Sequence, residues 1–386
     1  MKEKFLRELA DIQTGPFGSQ LHKEDYVADG TPIVTVEHLG NKMFSEQNLP
    51  RVSNTDKNRL KKYVLKQGDI VFSRVGSVDR CSYVDQKHDG WMFSGRCLRV
   101  RPTSEIDSEY LYYYFCLEET KQFVRNIAVG ATMPSINTKL LGEVVVTFPE
   151  LEQQKRISGI LSAIDSKIEV NQKINDNLEQ QAAALFSSLY NRSNTEVRYT
   201  DLIQILGGGT PKTGETAYWN GNIAFFTPKD VGTPYTFITE KTITEEGLSH
   251  CNSRLYPVNT VFVTARGTVG KVGLSGVPMA MNQSCYALVG KETHQLLVYF
   301  YTLKVVDKLK HKASGAVFDA ITTRDFESEQ IMKLSEDDAR AFLCVAEPMF
   351  QDILNNSIEN LRLSTLRDFL LPKLMSGEID VSNIQF

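Results

Sequence analysis

The residues best suited to chemistry in this sequence are arginines and lysines, which concentrate in two stretches. Between residues 51 and 101, twelve lysines and arginines stand against five acidic residues, and between 254 and 324 the ratio is nine to three. The whole chain carries a formal charge of −4, so the positive charge is local. Because cationic side chains neutralise phosphates and arginine reaches guanine edges, two such stretches favour DNA binding over ordinary solvated surface.

Hydroxyl and amide side chains accompany both basic stretches, and these groups suit phosphate oxygens and adenine edges. The DNA-binding candidates of the first half are Arg74, Ser77, Arg80, Lys87, Arg96, Arg99, Thr132 and Asn137. Those of the second half are Lys229, Arg266, Thr268, Lys271, Asn282, Gln283, Ser284, Lys312, Thr322, Thr323 and Arg324. Further cations of the same stretches are Arg101, Lys304, Lys308 and Lys310.

The sequence lacks the usual signatures of catalysis. Residues 267–271 (Gly-Thr-Val-Gly-Lys) resemble a phosphate loop, but Val272 stands where Ser or Thr is required, so a β-turn is predicted. Residues 207–211 (Gly-Gly-Gly-Thr-Pro) lack the dinucleotide spacing and predict a tight loop. The six histidines include no pair at helical ligand spacing, and the six cysteines show no close pairing. We therefore expect a non-catalytic chain with no catalytic residue, no metal and no cofactor of its own.

Five blocks of the first half recur in the same order in the second half. Residues 31–40 match 223–232 at an offset of 192, and residues 70–80 match 261–271 at an offset of 191. The remaining matches are Cys97 with Cys285, 111–115 with 297–301, and 130–136 with 315–321. Since the offset shrinks steadily to 185, as short loop deletions would produce, two copies of one α/β unit are predicted at 1–149 and 196–335.

Each copy combines short strands with helices. Runs such as 70–72 and 261–263 are rich in β-branched and aromatic residues and predict strands, while 109–125 and 295–311 predict helices. We expect a mixed, curved sheet with helices packed on it in each copy.

The segment between the copies, 150–192, predicts one long helix. Its seam positions alternate in spacing between four and three, as in a coiled coil, and they include Ile157, Leu161, Ile164, Ile168, Asn171, Asn175, Leu178 and Leu185. About 40 residues at 1.5 Å each give roughly 60 Å. The two asparagines either fix the register as buried amides or lie exposed at an open part of the seam, and the pattern leaves both interpretations open.

A second long helix is predicted at 336–380, with Leu361 and Leu366 as seam residues and Pro348 as a kink or the start of a second segment. An apolar stripe needs a partner, and each long helix is the nearest candidate for the other. The predicted fold class is therefore α/β, with two repeated α/β domains separated by two antiparallel helices that form a coiled-coil-like rod with pseudo-twofold symmetry.

Composition excludes several classes of protein. The chain is 41% hydrophobic and 23% charged, which is ordinary for a globular protein. The stretch without charge from 272 to 290 contains glycines, a proline and amides, so a membrane-spanning helix is not predicted. The N-terminus lacks the apolar run of a secretory signal, and we expect a cytoplasmic protein with no membrane partner.

The helical segments carry a resemblance to a known family. Residues 148–157 (Phe-Pro-Glu-Leu-Glu-Gln-Gln-Lys-Arg-Ile), 164–171 and 370–379 (Leu-Leu-Pro-Lys-Leu-Met-Ser-Gly-Glu-Ile) resemble the central and C-terminal regions of the DNA-specificity (S) subunit of type I restriction-modification enzymes. Residues 68–70, 130–134 and 208–211 are similar to that family's target-recognition domains. The segment 336–342 departs from the pattern, since it lacks the Glu-Gln-Gln-Lys-Arg-Ile of 152–157.

The resemblance implies a double-stranded-DNA-binding scaffold. Each target-recognition domain would read one half of a bipartite, asymmetric site, and the helices would fix the spacer and dock two methyltransferase (modification) subunits. S-adenosylmethionine and ATP would be bound by partner subunits, with restriction subunits adding translocation and cleavage. Two alternatives remain: a subunit with its own nuclease activity, and a protein-interaction rod whose domains do not read DNA.

Overall fold

The computed structural model describes residues 1–16, 20–40, 42–232, 234–312 and 320–382. It divides into two compact units, of which unit 1 comprises residues 1–169 and 361–386 and unit 2 comprises residues 170–360. Residues 315–319 of the last repeat block lie outside the described residues, so that block is compared only at 320–321. No helix among the described residues is long and apolar enough to cross a membrane.

Unit 1 is built on a four-stranded antiparallel sheet, a four-stranded mixed sheet of short strands and a two-stranded sheet. The strands are β1 (Lys2–Phe5), β2 (Ala10–Thr14), β3 (Tyr26–Val27), β4 (Thr31–Val34), β5 (Arg51–Val52), β6 (Ile70–Ser73), β7 (Cys81–Tyr83), β8 (Met92–Phe93), β9 (Cys97–Pro102) and β10 (Val145–Phe148). The helices are α1 (Leu6–Leu9), α2 (Asn54–Arg59), α3 (Ser108–Cys116), α4 (Glu118–Ile127), α5 (Thr138–Gly142) and α6 (Leu151–Arg192), whose last part belongs to unit 2.

Unit 2 continues with the same kinds of element. Its strands are β11 (Thr195–Arg198), β12 (Ile203–Gly207), β13 (Trp219–Phe226), β14 (Tyr235–Thr236), β15 (Lys241–Ile243), β16 (Val261–Thr264), β17 (Val272–Ser275), β18 (Met279–Met281), β19 (Cys285–Gly290) and β20 (Gln330–Lys333). Its helices are α7 (Tyr199–Leu202), α8 (Glu245–Ser249), α9 (Gln295–Lys312), α10 (Thr323–Glu327) and α11 (Glu336–Ser376), whose last part belongs to unit 1.

Sheet topology confirms the internal repeat. Unit 1 has the order β2-β9-β6-β7, and unit 2 has β12-β19-β16-β17 followed by β14. Both units pair their first and last strands antiparallel, β1 with β10 and β11 with β20. Both also have a second, mixed sheet that contains a parallel pair, β4 with β8 in unit 1 and β13 with β18 in unit 2. The same connections twice, at the predicted offsets, establish two copies of one α/β unit.

The helix predicted at 109–125 is two helices, α3 and α4, while its counterpart α9 is continuous. Leu117 separates α3 from α4 with an extended backbone (φ −59°, ψ 134°). Glu118 and Glu119 then fill the first turn of α4, where negative side chains interact favourably with the helix dipole and support a new N-terminus.

The helix α11 is continuous through Pro348, so this proline does not start a second segment. Pro348 lies on the exposed face of the helix, where water can hydrate the carbonyl that loses its amide partner. The helix ends at Ser376, before residue 380, because Gly377 adopts the left-handed conformation (φ +79°) that terminates helices.

In each unit the two long helices pack antiparallel against each other and against the α/β core. In unit 1, buried Ile157 and Leu161 share a core with Leu371 and Leu374. In unit 2, buried Phe186 belongs to an aromatic cluster in which its ring lies 5.1 Å from that of Phe300 and 5.5 Å from that of Phe342. Edge-to-face and offset aromatic contacts of this kind add to the free energy gained by burial.

Most seam residues of α6 face its partner. Ile157, Leu161, Asn171 and Asn175 are buried, and the partly buried seam residues are Ile164, Ile168, Leu178 and Leu185. Both asparagines act as buried amides: Asn171 Nδ2 donates to Glu359 Oε2 at 2.7 Å, and Asn175 Oδ1 accepts from Asn356 Nδ2 at 2.9 Å. Such bonds hold α6 and α11 in one register within unit 2.

The assignment of Leu361 and Leu366 to the seam is wrong, because these side chains are 36% and 45% exposed. Asn360 contacts Asn171, and Arg367 forms an ion pair with Asp165 at 2.8 Å, so polar residues occupy the inner face of α11 at these levels. An apolar pattern alone therefore placed the seam on the wrong side of this part of the helix.

Candidate nucleic-acid interface

Three loops of unit 1 join into one surface at the ends of β6 and β9. Arg74 N donates to Arg96 O at 2.8 Å, and Ile136 N donates to Arg74 O at 2.9 Å. Gly76 N donates to Pro134 O at 2.8 Å. Main-chain hydrogen bonds thus fix residues 74–77, 94–96 and 129–137 against one another, and we call them loop surface 1.

A tight loop projects from loop surface 1. Val129 and Ser135 exchange two main-chain hydrogen bonds of 2.9 and 2.8 Å, and Gly130 has a φ of +106° that favours glycine. Met133 is 65% exposed at the tip. Sequence reasoning selected Thr132 in this loop and missed Met133, although the Gly-to-Pro spacing of 130–134 indicated a projecting tip.

Unit 2 builds the equivalent surface from the equivalent residues. Ala265 N donates to Ser284 O at 2.8 Å, and Ile321 N donates to Ala265 O at 2.9 Å. Thr268 Oγ1 donates to Pro228 O at 3.0 Å, which adds the loop after β13. We call residues 227–230, 265–268, 282–284 and 320–324 loop surface 2.

The glycine-rich loop at 207–211 adjoins loop surface 2. Sequence analysis predicted a tight loop there but did not assign it to the DNA-binding surface. Gly209 N donates to Met281 O at 3.1 Å, and Thr210 Oγ1 donates to Gln283 Oε1. Gly208 has no room for a side chain, because a Cβ there would lie 2.2 Å from Asn282 O. The tight loop predicted at 207–211 therefore packs on the backbone that presents Asn282 and Gln283.

The arginines of the loop surfaces differ in exposure and in whether their side chains are already hydrogen-bonded. Arg96, Arg266 and Arg324 are exposed, and their side chains form no hydrogen bond or ion pair with the described part of the chain. Arg74 is half-buried, and its Nη1 donates to Gly95 O at 3.1 Å. Three guanidinium groups are thus available to an anionic or guanine-containing ligand.

Several polar DNA-binding candidates form hydrogen bonds that stabilise the loop surfaces themselves. Asn137 and Thr322 cap α5 and α10, accepting from Leu140 N at 2.9 Å and from Asp325 N at 3.4 Å. Asn282 Oδ1 accepts from Ser284 N at 3.0 Å. Thr322 Oγ1 also donates to Asp325 Oδ2 at 2.7 Å, so its hydroxyl is occupied within the capping motif. Ser77, Thr132, Gln283 and Thr323 are exposed.

Arg80 and Lys271 lie beside the loop surfaces, near the loops of Gly40 and Gly232. A Cβ on Gly40 would lie 2.7 Å from Arg80 Nη2, and Lys271 lines a pocket together with Gly232. Both side chains are exposed, at equivalent places in the two units.

Three further lysines are exposed but paired with carboxylates. Lys87 Nζ lies 2.5 Å from Glu46 Oε1, Lys229 Nζ lies 3.5 Å from Glu240 Oε2, and Lys312 pairs with Glu329. Most of the further cations of the basic stretches are also engaged: Arg101 bonds Asp69, Lys304 donates to Ser187 Oγ, and Lys308 donates to Gln330 O.

The structure removes Arg99 from the DNA-binding candidates. Its side chain is only 3% exposed, lies in β9 and bonds Asp11 of the neighbouring strand β2. Burial, with the nearby charge of Arg101, lowers the pKa of Arg99 below its ordinary value. A guanidinium held inside a sheet cannot reach a phosphate, so Arg99 has a structural role.

The acidic, histidine and cysteine side chains were compared with the requirements of a metal site. Over the described ranges, no group of three or more histidine, cysteine, aspartate or glutamate side chains is placed to hold a metal ion. Both loop surfaces present exposed cations and hydroxyl or amide groups, and loop surface 1 adds the exposed Met133. Such groups suit the recognition of a ligand.

The sequence matches one family model twice, over residues 1–180 and 191–333, and that model describes a type I restriction modification DNA specificity domain. The chain belongs to this family. It has the family's function, DNA recognition as the specificity subunit of a type I restriction-modification system. The two matched segments contain loop surface 1 and loop surface 2, one in each.

Individual relatives agree with this membership. The HindI specificity subunit of Haemophilus influenzae is 25% identical, with 82% of this chain and 88% of the relative covered. The MjaIX specificity subunit of Methanocaldococcus jannaschii is 24% identical, covering 74% of this chain and 72% of the relative. A crystal structure of a type I S subunit from M. genitalium has the same fold, with a TM-score of 0.58 at 16% identity, covering 97% of this chain and 95% of that one.

Proposed function

We propose that loop surface 1 and loop surface 2 each read one half of a bipartite, asymmetric DNA site. The observation that carries this proposal is the construction of the same joined-loop surface twice, from residues 191 and 185 positions apart. Two similar surfaces that differ in side chains suit two half-sites of different sequence.

The side chains of each surface match particular base edges. Arg96, Arg266 and Arg324 suit guanine O6 and N7, while Asn282 and Gln283 suit adenine N6 and N7. The exposed thioether of Met133 suits the methyl group of thymine. The main-chain bonds that fix the loops reduce the entropy lost on binding.

A binding experiment tests this assignment. The full chain is combined with its methyltransferase subunit and titrated with duplexes that carry the recognised site or single-half mutants of it. We expect Arg266→Ala to weaken binding about five- to 150-fold, which corresponds to about 1–3 kcal/mol for one bidentate base contact. The sequence preference should be lost in one half-site and kept in the other. Arg96→Ala should act on the other half.

Lys2→Ala and Lys333→Ala are the matched controls, because they remove exposed cations from the small sheets β1–β10 and β11–β20. Their specific binding should stay at the wild-type level. Unchanged half-site preference in both Arg96→Ala and Arg266→Ala would contradict the assignment of the loop surfaces.

The long helices would dock the methyltransferase subunits. In unit 1, Phe369 is 59% exposed near Leu366, and in unit 2 Val170, Ile174 and Val345 are between 43% and 49% exposed. Exposed apolar side chains on helices whose inner faces are already packed suit protein contacts. We expect Phe369→Ser to reduce co-purification of the methyltransferase severalfold, whereas Gln351→Ala, an exposed polar control on the same helix, should leave it unchanged.

Catalysis and cofactors belong to the partners in this proposal. S-adenosylmethionine would be bound by the methyltransferase subunits and ATP by restriction subunits, in the cytoplasm where the DNA is located. Incubation of the isolated chain with Mg²⁺ and duplex DNA should leave the DNA intact. Cleavage would support the nuclease alternative, and the lack of any preferred site in the complex would support the rod whose domains do not read DNA.

A further inference from the structure

The two units differ in charge at one equivalent place beside their loop surfaces. In unit 1, Asp79 Oδ2 accepts a hydrogen bond of 2.6 Å from Arg125 Nη1 on α4. Asp79 corresponds to Gly270 at the offset of 191. Arg125 follows the buried Val124 and corresponds to Lys310, which follows the buried Leu309, at the offset of 185. The acid of the unit 1 ion pair is therefore missing from unit 2, and the base remains.

Loss of the acid leaves a cationic pocket in unit 2. The pocket has a volume of about 360 Å³, and its lining includes Gly232, Gly270, Lys271, Val306, Asp307 and Lys310. The Lys310 side chain lies over Gly270, where a Cβ would be 2.6 Å from Lys310 Cε. Glycine at position 270 therefore makes room for this lysine.

Two ammonium groups line this pocket, and neither is paired with a carboxylate of the described residues. The side chains of Lys271 and Lys310 form no hydrogen bond or ion pair with any residue that the structure describes. The acidic lining residue, Asp307, lies 3.6 Å from His311 Nδ1. In unit 1, by contrast, Arg125 is held by both Asp79 and Glu118. Two unpaired like charges repel each other, and a bound anion would relieve that repulsion.

The pocket is connected to loop surface 2 by a short piece of chain. Thr268 bonds Pro228 at one end of the loop after β13, and Val231 and Gly232 of the same loop form a wall of the pocket. Lys271 directly follows the turn that carries Arg266 and Thr268. A duplex whose bases contact loop surface 2 has its phosphate backbone beside those bases, within reach of such lysines.

We propose that the pocket of Lys271 and Lys310 binds a backbone phosphate of DNA next to the half-site read by unit 2, and that unit 1 has no equivalent phosphate site. The inference rests on the proposed function and assigns a further contact to the same interaction. It concerns affinity and positioning, because a phosphate contact carries no base information.

The test measures the salt dependence of DNA binding by the full chain with its methyltransferase subunit. The slope of log K against log salt concentration is negative, and removal of one phosphate contact makes it less steep by about 0.9. We expect Lys310→Ala to make the slope less steep by about that amount on both a duplex with the recognised site and a duplex without it. Lys310→Gln keeps the side chain over Gly270 and should behave like Lys310→Ala, while Lys310→Arg should retain the wild-type slope.

The matched control is Arg125→Gln in unit 1, which removes the equivalent cation and should leave the slope unchanged. Thermal unfolding of each variant verifies that it is folded. A wild-type slope in both Lys310→Ala and Lys310→Gln would overturn the proposal, as would equal changes in the Lys310 and Arg125 variants. If inorganic phosphate binds the pocket while the Lys310 variants keep the wild-type slope, the ligand is a small anion and the assignment to DNA is wrong.

Failure of the proposed function gives a different result. Arg266→Ala should reduce the ratio of affinities for site and non-site duplexes, and Lys310→Ala should leave that ratio unchanged. If Arg266→Ala also leaves the ratio unchanged, the assignment of base reading to loop surface 2 fails, whatever the slope measured for the Lys310 variants.

Discussion

The two units have a buried tyrosine at the same position of the repeat, but the carboxylate that accepts its hydrogen bond differs in its charged neighbours. Tyr113 and Tyr299 are 186 residues apart, both are buried, and each donates a hydrogen bond to a carboxylate of α6. In unit 1 the acceptor is Asp165, at 2.6 Å, and Arg367 donates to the same carboxylate at 2.8 Å. In unit 2 the acceptor is Glu179, at 2.8 Å, and no ion pair with a cation is found for it among the described residues.

This difference has a consequence for the state of the carboxylates. Burial raises the pKa of Glu179 above its ordinary value, the nearby charge of Asp176 adds to that effect, and the hydrogen bond from Tyr299 only partly opposes it. The contrast of Asp79 with Gly270 is of the same kind, since unit 1 again supplies a counterion and the described residues of unit 2 do not. The duplicated units share apolar positions, glycines and hydroxyl groups, whereas their ion pairs have diverged.

The largest effect on stability is expected from Asp165→Asn in unit 1. This isosteric change removes the negative charge that accepts hydrogen bonds from Tyr113 and Arg367. Arg367 then loses its buried counterion, with Asp165 only 12% exposed, and we expect a loss of about 2–3 kcal/mol in stability. Hydrogen exchange of the amides of α3 and of the last turns of α11 measures this loss. Protection equal to that of the wild type would show that the ion pair of Asp165 with Arg367 does not stabilise unit 1.

A smaller and opposite effect is expected from Glu179→Gln in unit 2. The raised pKa means that the folded state binds the proton more tightly, so stability falls as the pH rises from the ordinary value of 4.5 through the folded-state pKa. The glutamine variant avoids this loss and should be more stable than the wild type near pH 7, by about 0.5–1 kcal/mol, as single stabilising substitutions commonly are. Denaturant unfolding at several pH values gives the measurement. The two proteins should converge at low pH, and a variant that is less stable at neutral pH would show that Glu179 has a counterion after all.

The sequence was sufficient to predict the two copies because apolar runs and glycines recur at a nearly constant offset. Gly76 and Gly267 have φ values of +75° and +79°, so these turns depend on glycine and were visible as matched positions. The long helix at 150–192 was predicted because its seam spacing is regular, and α6 spans Leu151–Arg192.

What could not be predicted depends on contacts across the fold. The burial of Arg99 follows from the register of β2 with β9, which sets Asp11 diagonally opposite, and no local pattern contains that register. Leu361 and Leu366 were misplaced because Asn360 and Arg367 find polar partners on α6, which an apolar pattern does not reveal. The joining of three segments into loop surface 1 and of four into loop surface 2 likewise became apparent only from hydrogen bonds between residues far apart in sequence.

The most direct test of whether each unit reads one half-site is a methylation map. The DNA is taken from cells that express the chain with its methyltransferase. We expect two short fixed sequences separated by a constant number of unread positions. Arg96→Ala should relax only one of these sequences, and Arg266→Ala only the other. A single uninterrupted motif, or relaxation of both halves by either variant, would contradict reading of one half-site by each unit.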